Sequence, residues 1–196
     1  MSIKKKDLID FEKKIKSLYE KGKIKAPIHL SGGNEQQLIN IFKKINRQDW
    51  VISNWRSHYH ALLHGIPEKK IIKEIIRGKS MSLNFKEHKF IASSIVGGGI
   101  PIGLGIALSI KKKKLKNKVF IFVGDMTYET GVFYECYKYA KNFRLPIKFI
   151  VEDNGLSTNT PTKKAWRIIS KKPKDIIYYK YKRIYPHHGT GAWILF

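Results

Sequence analysis

The chain has 196 residues, of which 42% are hydrophobic and 12% aromatic. This composition excludes a disordered chain and is typical of one globular unit with a packed core. The only cysteine, Cys136, excludes an internal disulfide and a multi-cysteine metal site. Residues 1–10 are polar and lysine-rich without a secretory signature, so we expect the reducing cytoplasm.

The formal net charge of +24 raises the question of nucleic-acid binding. Two features argue against it as the main role. Lysine supplies 33 of the 39 basic residues, whereas phosphate and base recognition favours the planar fork of arginine. The basic residues are also scattered, and the run Lys111–Lys114 is typical of a solvated helix end. A basic nucleic-acid-binding protein stays an alternative.

Apolar residues at helical spacing predict three helices in the first half of the chain, over Asp7–Lys21, about Asn34–Ile45 and Pro67–Arg77. Val51–Ser53 predicts a short strand. The segment Ile95–Ile110 has 16 residues, interrupted by glycines and a proline, whereas about 20 apolar residues are needed to span a bilayer. It is therefore interpreted as a buried loop followed by a helix, and no membrane association is expected.

The second half predicts helices over Pro101–Lys112 and Gly131–Phe143. Continuous apolar runs predict strands over Val119–Val123 and Ile147–Val151, and a last strand over Ile176–Tyr181. Unbroken apolar strands that alternate with helices are typical of a buried parallel sheet. The expected fold class is α/β, with a mostly parallel sheet flanked by helices.

Polar residues follow two of these strands directly. Gly124-Asp125 comes after the first and Glu152-Asp153-Asn154 after the second. Because the carboxyl ends of parallel strands meet at one edge of the sheet, these side chains are expected to converge where α/β proteins bind ligands. A carboxylate and a carboxamide suit Mg²⁺, which prefers oxygen ligands and shares them with phosphates. The alternative is that Asp125 caps the helix near Gly131 and Asn154 is a turn residue.

The stretch from Gly124-Asp125 to Asn154 resembles the thiamine diphosphate motif, which is Gly-Asp-Gly, a spacer of nearly thirty residues, and Asn-Asn. Five more stretches occur in an order similar to that of the alpha subunit of the decarboxylating component of 2-oxo acid dehydrogenases: Ile28–Glu35, Asp49–His58, Ile95–Gly105, Phe133–Glu135 and Leu145-Pro146. Asp153–Leu156 is more similar to the amino-terminal part of transketolase. The resemblance covers roughly residues 20–160.

This resemblance implies a thiamine diphosphate-binding fold in which residues 1–196 form one diphosphate-binding domain, with an amino-terminal helical extension over about residues 1–25. It implies Mg²⁺ held by Asp125, Asn154 and the backbone carbonyl of Leu156. The implied cofactor-binding residues are Trp55, Arg56, Ser94, Val96, Gly124, Met126 and Thr127. His58 occupies the place of an active-site histidine, and His60 is its implied companion in proton transfer or oxyanion stabilisation.

The loop around His187-His188 resembles a loop that carries a diphosphate-contacting histidine, and the sequence does not decide between the two. The chain also departs from the family pattern. Met126 replaces the last glycine of Gly-Asp-Gly, Asp153 replaces the first asparagine, and the Ser-Met-His stretch reads Ser80-Met81-Ser82.

The resemblance implies 2-oxo acid decarboxylation with acyl transfer, with thiamine diphosphate and Mg²⁺ as cofactors. In the family, the glutamate that activates the pyrimidine ring belongs to a separate domain. We therefore expect a pyrimidine-binding partner chain, similar to a beta subunit or to the carboxyl half of transketolase, in an α2β2 assembly. Transketolase-like ketol transfer between sugars and a non-catalytic subunit are the alternatives.

Overall fold

The structure, a computed structural model, describes residues 3–167 and 172–194, so both ends of the single unit predicted for residues 1–196 lie outside the described ranges. A six-stranded sheet has the strand order β2-β3-β1-β4-β5-β8. Its strands are β1 (Trp50–Ser53), β2 (Asn84–Phe85), β3 (Phe90–Ala92), β4 (Val119–Gly124), β5 (Ile147–Asp153) and β8 (Ile177–Lys180), and a small hairpin contains β6 (Leu156–Ser157) and β7 (Thr160–Pro161). β2 is antiparallel to β3, and the remaining neighbours are parallel. The predicted α/β class with a mostly parallel sheet is confirmed.

The helices are α1 (Lys5–Glu20), α2 (Glu35–Phe42), α3 (His58–Leu63), α4 (Glu68–Glu74), α5 (Gly99–Lys112), α6 (Asp125–Tyr128), α7 (Gly131–Asn142) and α8 (Thr162–Trp166). A π-helical turn, Ile75–Lys79, continues α4, and a 3-10 turn covers Lys86–His88. The predicted helices are present with shifted ends. α2 ends at Phe42 rather than Ile45 because the chain turns there towards β1, and α4 ends at Glu74 rather than Arg77, where the π-helical turn follows.

The two faces of the sheet bury different side chains because successive residues of a strand point in opposite directions. In β4, Phe120 and Phe122 pack into a cluster with α1–α4. Val119, Ile121 and Val123 pack into a second cluster with α5 and α7. The predicted apolar runs are therefore buried on both faces, as expected for the centre of a parallel sheet.

The loop before α5 differs from its prediction. Ile95 is 72% and Val96 55% exposed, so the predicted buried loop is wrong for these two side chains. Apolar composition alone indicated burial, and these residues project from the carboxyl edge of the sheet instead of packing under α5. Within the described ranges, no helix combines the length and the apolar content that crossing a membrane requires.

Candidate functional site

A pocket that is open to solvent lies at the carboxyl edge of the sheet. Most of its lining comes from four strand ends and the segments that follow them: Asn54 to Arg56 after β1, Gly124 to Thr127 at and after the end of β4, Glu152 and Asn154 in and after β5, and Tyr181 after β8. Ser31, Gly32 and Asn34, which precede α2, also line it. The register of the sheet pairs Gly124 with Glu152 and thereby brings the ends of β4 and β5 side by side. The predicted convergence of the polar strand ends is present.

Asp125 is the first residue of α6, and only 4% of it is exposed. The hydroxyl of Thr162 donates a hydrogen bond to its Oδ2. Burial raises the pKa of the Asp125 carboxyl, although the bond from Thr162 opposes the shift. The helix that begins at Gly131 has Thr130 as its N-cap, so Asp125 does not cap that helix.

Asn154 and Leu156 form the opposite wall. The Leu156 amide donates to Asn154 Oδ1 at 3.0 Å, and Asn154 Nδ2 donates to the Tyr181 hydroxyl at 3.1 Å. Asn154 is thus a turn residue that also lines the pocket. Because Oδ1 has a second lone pair, it can also coordinate a metal ion.

Trp55 and Arg56 line the pocket from the loop between β1 and α3. The Arg56 amide donates to Asn54 Oδ1 at 2.8 Å, and its Nη2 donates to the His187 carbonyl at 2.8 Å. The buried Nε of Arg56 has no hydrogen-bond partner. Burial lowers the pKa of this guanidinium, which nevertheless stays charged.

Gly124, Met126 and Thr127 all line the pocket. The indole N–H of Trp166 lies 2.9 Å from the Met126 sulfur, so the side chain that replaces the motif glycine is held at the pocket wall. Asp153, another departure from the family pattern, does not line the pocket. Its Oδ2 accepts from the Tyr178 hydroxyl at 2.6 Å and its Oδ1 from the Gly155 amide at 2.8 Å.

Neither predicted catalytic histidine lies at the pocket wall. His58 is fully buried, with Nδ1 at 2.9 Å from Glu12 Oε2 and Nε2 at 2.9 Å from Ser80 Oγ. His60 is buried behind Glu152, with its Nε2 at 3.2 Å from Glu152 Oε1. Their catalytic role therefore stays a prediction. Both histidines lie behind the pocket wall, where they can support the residues that line it.

The remaining predicted residues surround the pocket. Ser94 and Val96 are exposed in a loop beside a smaller cleft that shares Trp55 and Thr127 with the pocket. His187 lies half-buried, with Nε2 at 3.4 Å from His29 Nε2, whereas His188 is exposed. Of the two histidines, His187 is the one joined to Arg56.

The sequence placed Glu152 among the converging strand-end residues but assigned it no role in the site. Its buried carboxylate accepts hydrogen bonds from Asn34, Asn54 and the Tyr179 hydroxyl, besides its contact with His60. Burial opposes ionisation, but His60 and these donors hold the pKa of Glu152 below its usual value. A glutamate directly after the apolar run Ile147–Val151 was the available signal.

The two pocket carboxylates thus have opposite surroundings. Glu152 is surrounded by donors, whereas burial and the nearby Asp153 both disfavour the charged form of Asp125. Within residues 3–167 and 172–194, no three His, Cys, Asp or Glu side chains form a metal-binding group. A cation at Asp125 would therefore need amide, carbonyl, water or ligand oxygens as well.

The fold and the pocket define an α/β protein whose site combines a buried carboxylate with a half-buried guanidinium. The chain matches the family model described as dehydrogenase E1 component over residues 4–175, and it belongs to that family. Membership implies thiamine diphosphate as the cofactor.

Curated relatives are similar over most of this chain. The chloroplastic pyruvate dehydrogenase E1 component subunit alpha-3 of Arabidopsis thaliana is 32% identical over 160 residues, which are 74% of this chain and 37% of the relative. The pyruvate dehydrogenase E1 component subunit alpha of Rickettsia prowazekii is 33% identical over 160 residues, 76% of this chain and 49% of the relative. That of Zymomonas mobilis is 31% identical over 166 residues, 79% of this chain and 47% of the relative. The chain therefore spans about half or less of these relatives.

Proposed function

We propose that this chain is the diphosphate-binding subunit of a thiamine diphosphate-dependent enzyme that, with a partner chain, decarboxylates a 2-oxo acid and transfers the acyl group. The observation that carries the proposal is the meeting of Asp125, Asn154 and Arg56 in one pocket of a chain that belongs to the dehydrogenase E1 component family. Such a pocket offers oxygen ligands to a cation and a guanidinium to an anion, which are the two needs of a magnesium diphosphate. A cytoplasmic location remains part of the proposal.

The residues present fit this cofactor. The raised pKa of the buried Asp125 carboxyl marks a place where a cation would stabilise negative charge. The unpartnered Nε of Arg56 marks a donor that an anion would satisfy. Mg²⁺ would be held by Asp125, Asn154 Oδ1 and the Leu156 carbonyl, with diphosphate and water oxygens completing its shell.

When bound, thiamine diphosphate supplies a thiazolium carbon that attacks a carbonyl and a ring system that accepts the resulting electrons. The protein binds and orients its diphosphate end. Arg56 neutralises charge, and Gly124 to Thr127, at the start of α6, line the pocket. Glu152 and His60 hold Asn54, and through it the Arg56 loop, in place.

A partner chain is proposed because apolar side chains lie uncovered at the rim. Ile95 borders the cleft beside the pocket, and Val96 and Ile102 are exposed near it in sequence. Exposed apolar groups that surround a ligand site are typical of protein interfaces. We propose that a pyrimidine-binding chain covers this loop in an α2β2 assembly and completes the site.

Calorimetric titration with thiamine diphosphate and Mg²⁺ tests the binding. Asp125→Ala is expected to weaken binding by about 100-fold, because losing one partner of a buried charge pair costs about 2–5 kcal/mol. Asp10→Ala, which removes an exposed carboxylate, is the matched control and should bind within about twofold of the wild type. Binding that does not depend on Mg²⁺, or an unchanged Asp125→Ala, would contradict the proposal.

Turnover tests the partner. Mixed with a beta-type chain, the protein should release CO₂ from a 2-oxo acid such as pyruvate. Alone, it should not. Full turnover by the single chain would refute the need for a partner, and activity on sugar phosphates instead would replace acyl transfer by ketol transfer.

A further inference from the structure

A charged residue is fully buried on α1, the helix predicted as an extension. Glu12 has 0% exposure, although its neighbours on the inner face of the helix, Leu8, Phe11 and Ile15, are apolar. A buried carboxylate is costly unless it is paired and hydrogen-bonded. The residues that pair with Glu12 therefore indicate why it is buried.

The first partner is His58. Its Nδ1 lies 2.9 Å from Glu12 Oε2, and its Nε2 lies 2.9 Å from Ser80 Oγ, with all three residues at 0% exposure. A carboxylate only accepts hydrogen bonds, so His58 carries a proton on Nδ1. Glu12 thus determines the orientation of the ring. Ser80 follows the π-helical turn and ties this segment to the same ring.

The second partner belongs to the pocket. The amide of Ser31 donates to Glu12 Oε1, and Ser31 lines the pocket. The Ser31 hydroxyl donates to the Arg56 carbonyl at 3.3 Å. One carboxylate therefore holds both Ser31, through Oε1, and the histidine two residues after Arg56, whose Nδ1 lies 2.9 Å from Oε2 and 3.1 Å from Oε1.

The order Glu12, His58, Ser80 resembles the acid, base and nucleophile of a hydrolytic triad. Nucleophilic attack requires access of a substrate to the serine, and Ser80 is fully buried and absent from the pocket wall. The contacts with Ser31 and the Arg56 loop lead instead towards the diphosphate pocket.

We propose that Glu12 is a positioning residue for the pocket: by holding the Ser31 amide and the His58 ring it sets the conformation of the loop that carries Arg56. The proposal rests on the proposed function for its ligand. It makes α1 part of the structure that supports the site. It also means that His58 acts by positioning Arg56 and does not contact the substrate.

Glu12→Gln is the decisive variant, and Glu20→Gln, at the exposed end of the same helix, is its matched control. The amide keeps the size of the carboxylate but offers one acceptor and one donor group. In either orientation of the amide, its NH₂ group takes the place of one acceptor oxygen. The short contact of that oxygen, with the Ser31 amide or with His58 Nδ1–H, is therefore lost, and only the longer 3.1 Å approach of His58 Nδ1 to Oε1 can remain beside the Ser31 contact.

The first readout needs no ligand. In NMR spectra, Glu12→Gln should shift the Arg56 Hε proton and the His58 ring nitrogens, and Glu20→Gln should shift neither. The second readout is calorimetric titration with Mg²⁺ and inorganic diphosphate. Here Glu12→Gln should bind about tenfold or more weakly, and the control within about twofold.

Unchanged Arg56 resonances and unchanged diphosphate binding in folded Glu12→Gln would overturn the proposal, even if its melting temperature fell, because that result describes a purely structural carboxylate. If Glu12→Gln does not fold, Ser80→Ala decides, since it alters His58 from the other side. It should shift the Arg56 Hε proton and weaken binding by about threefold, and unchanged values overturn the proposal. If the wild type does not bind diphosphate, the proposed function fails, and the Arg56 resonance still tests the positioning.

Discussion

The two halves of the pocket are held in place by different means. Asp125 and Asn154 stand at the ends of β4 and β5, whose neighbouring register pairs Gly124 with Glu152. Arg56 stands on a loop whose contacts come from remote parts of the chain, with its guanidinium bonded to the His187 carbonyl 131 residues away. The strand-end half therefore depends on sheet pairing, whereas the loop half depends on buried polar contacts. The loop half is the more sensitive to substitutions far from the pocket.

Glu152 joins the two halves, and its removal is expected to have the largest effect. Glu152→Ala would leave His60, Tyr179 and Asn54 without their buried acceptor. The free energy of unfolding should fall by about 3–5 kcal/mol. Urea denaturation measures it, with the exposed Glu135→Ala as a control that should change it by less than about 0.5 kcal/mol. A loss below about 1 kcal/mol would mean that sheet pairing alone holds the site together.

The buried histidines behind the loop half predict sensitivity to acid. His64, at the C-cap of α3, is buried with Nε2 unpartnered, and burial lowers its pKa to about 4. The unfolded chain binds the proton near pH 6.5, so the stability that neutral His64 contributes is complete above that pH and is lost as the pH falls towards 4.

At pH 5 this loss should be about 2 kcal/mol. His64→Phe, which keeps an aromatic ring beside Phe42 and Phe90, should reduce the difference in unfolding free energy between pH 7 and pH 5 by that amount. Urea denaturation at both pH values measures it. The exposed His188 provides the control, His188→Phe, which should leave the difference nearly unchanged. An identical pH dependence in His64→Phe and the wild type would contradict the prediction.

The guanidinium of Arg56 tests whether the loop half needs more than a positive charge. Arg56→Lys keeps the positive charge but loses the guanidinium fork. The variant therefore lacks both the Nη2 hydrogen bond to the His187 carbonyl and the unpartnered Nε that could donate to a ligand. Binding of magnesium thiamine diphosphate should weaken by about tenfold in calorimetry. Arg77→Lys, which changes a surface ion pair with Glu74, should bind as the wild type does. Equal affinity of Arg56→Lys and the wild type would show that charge alone suffices.

The smallest expected effect concerns Met126, which departs from the motif within the strand-end half. Met126→Gly removes a side chain from the pocket wall and takes away the sulfur contact of the Trp166 indole. Affinity for magnesium thiamine diphosphate should change by less than about threefold, because glycine mainly costs about 1 kcal/mol of helix stability. Met126→Gly should shift tryptophan emission to longer wavelength. In a Trp166→Phe background, which lacks the reporting indole, Met126→Gly should cause no such shift. A tenfold change in affinity would mean that Met126 controls the approach of the chain to the ligand.

The helices and strands of the second half followed from local pattern. The apolar runs of β4 and β5 and the residues at their ends determine where Asp125 and Asn154 lie, because parallel pairing brings strand ends together. The resemblance to the family implied Trp55 and Arg56 as cofactor-binding residues, and both line the pocket. The hydrogen bond from Arg56 to the His187 carbonyl and the exposure of Ile95 had no local signal.

By itself, the sequence determined the fold class, the family and the strand-end half of the pocket, because periodicity and adjacent motifs encode short-range structure. Only the tertiary structure decided which buried polar groups meet. Glu12 reaches His58 across 46 residues and Glu152 reaches His60 across 92. Such pairs form because a buried charge must find a partner wherever the packed chain brings one, and sequence spacing does not record that meeting.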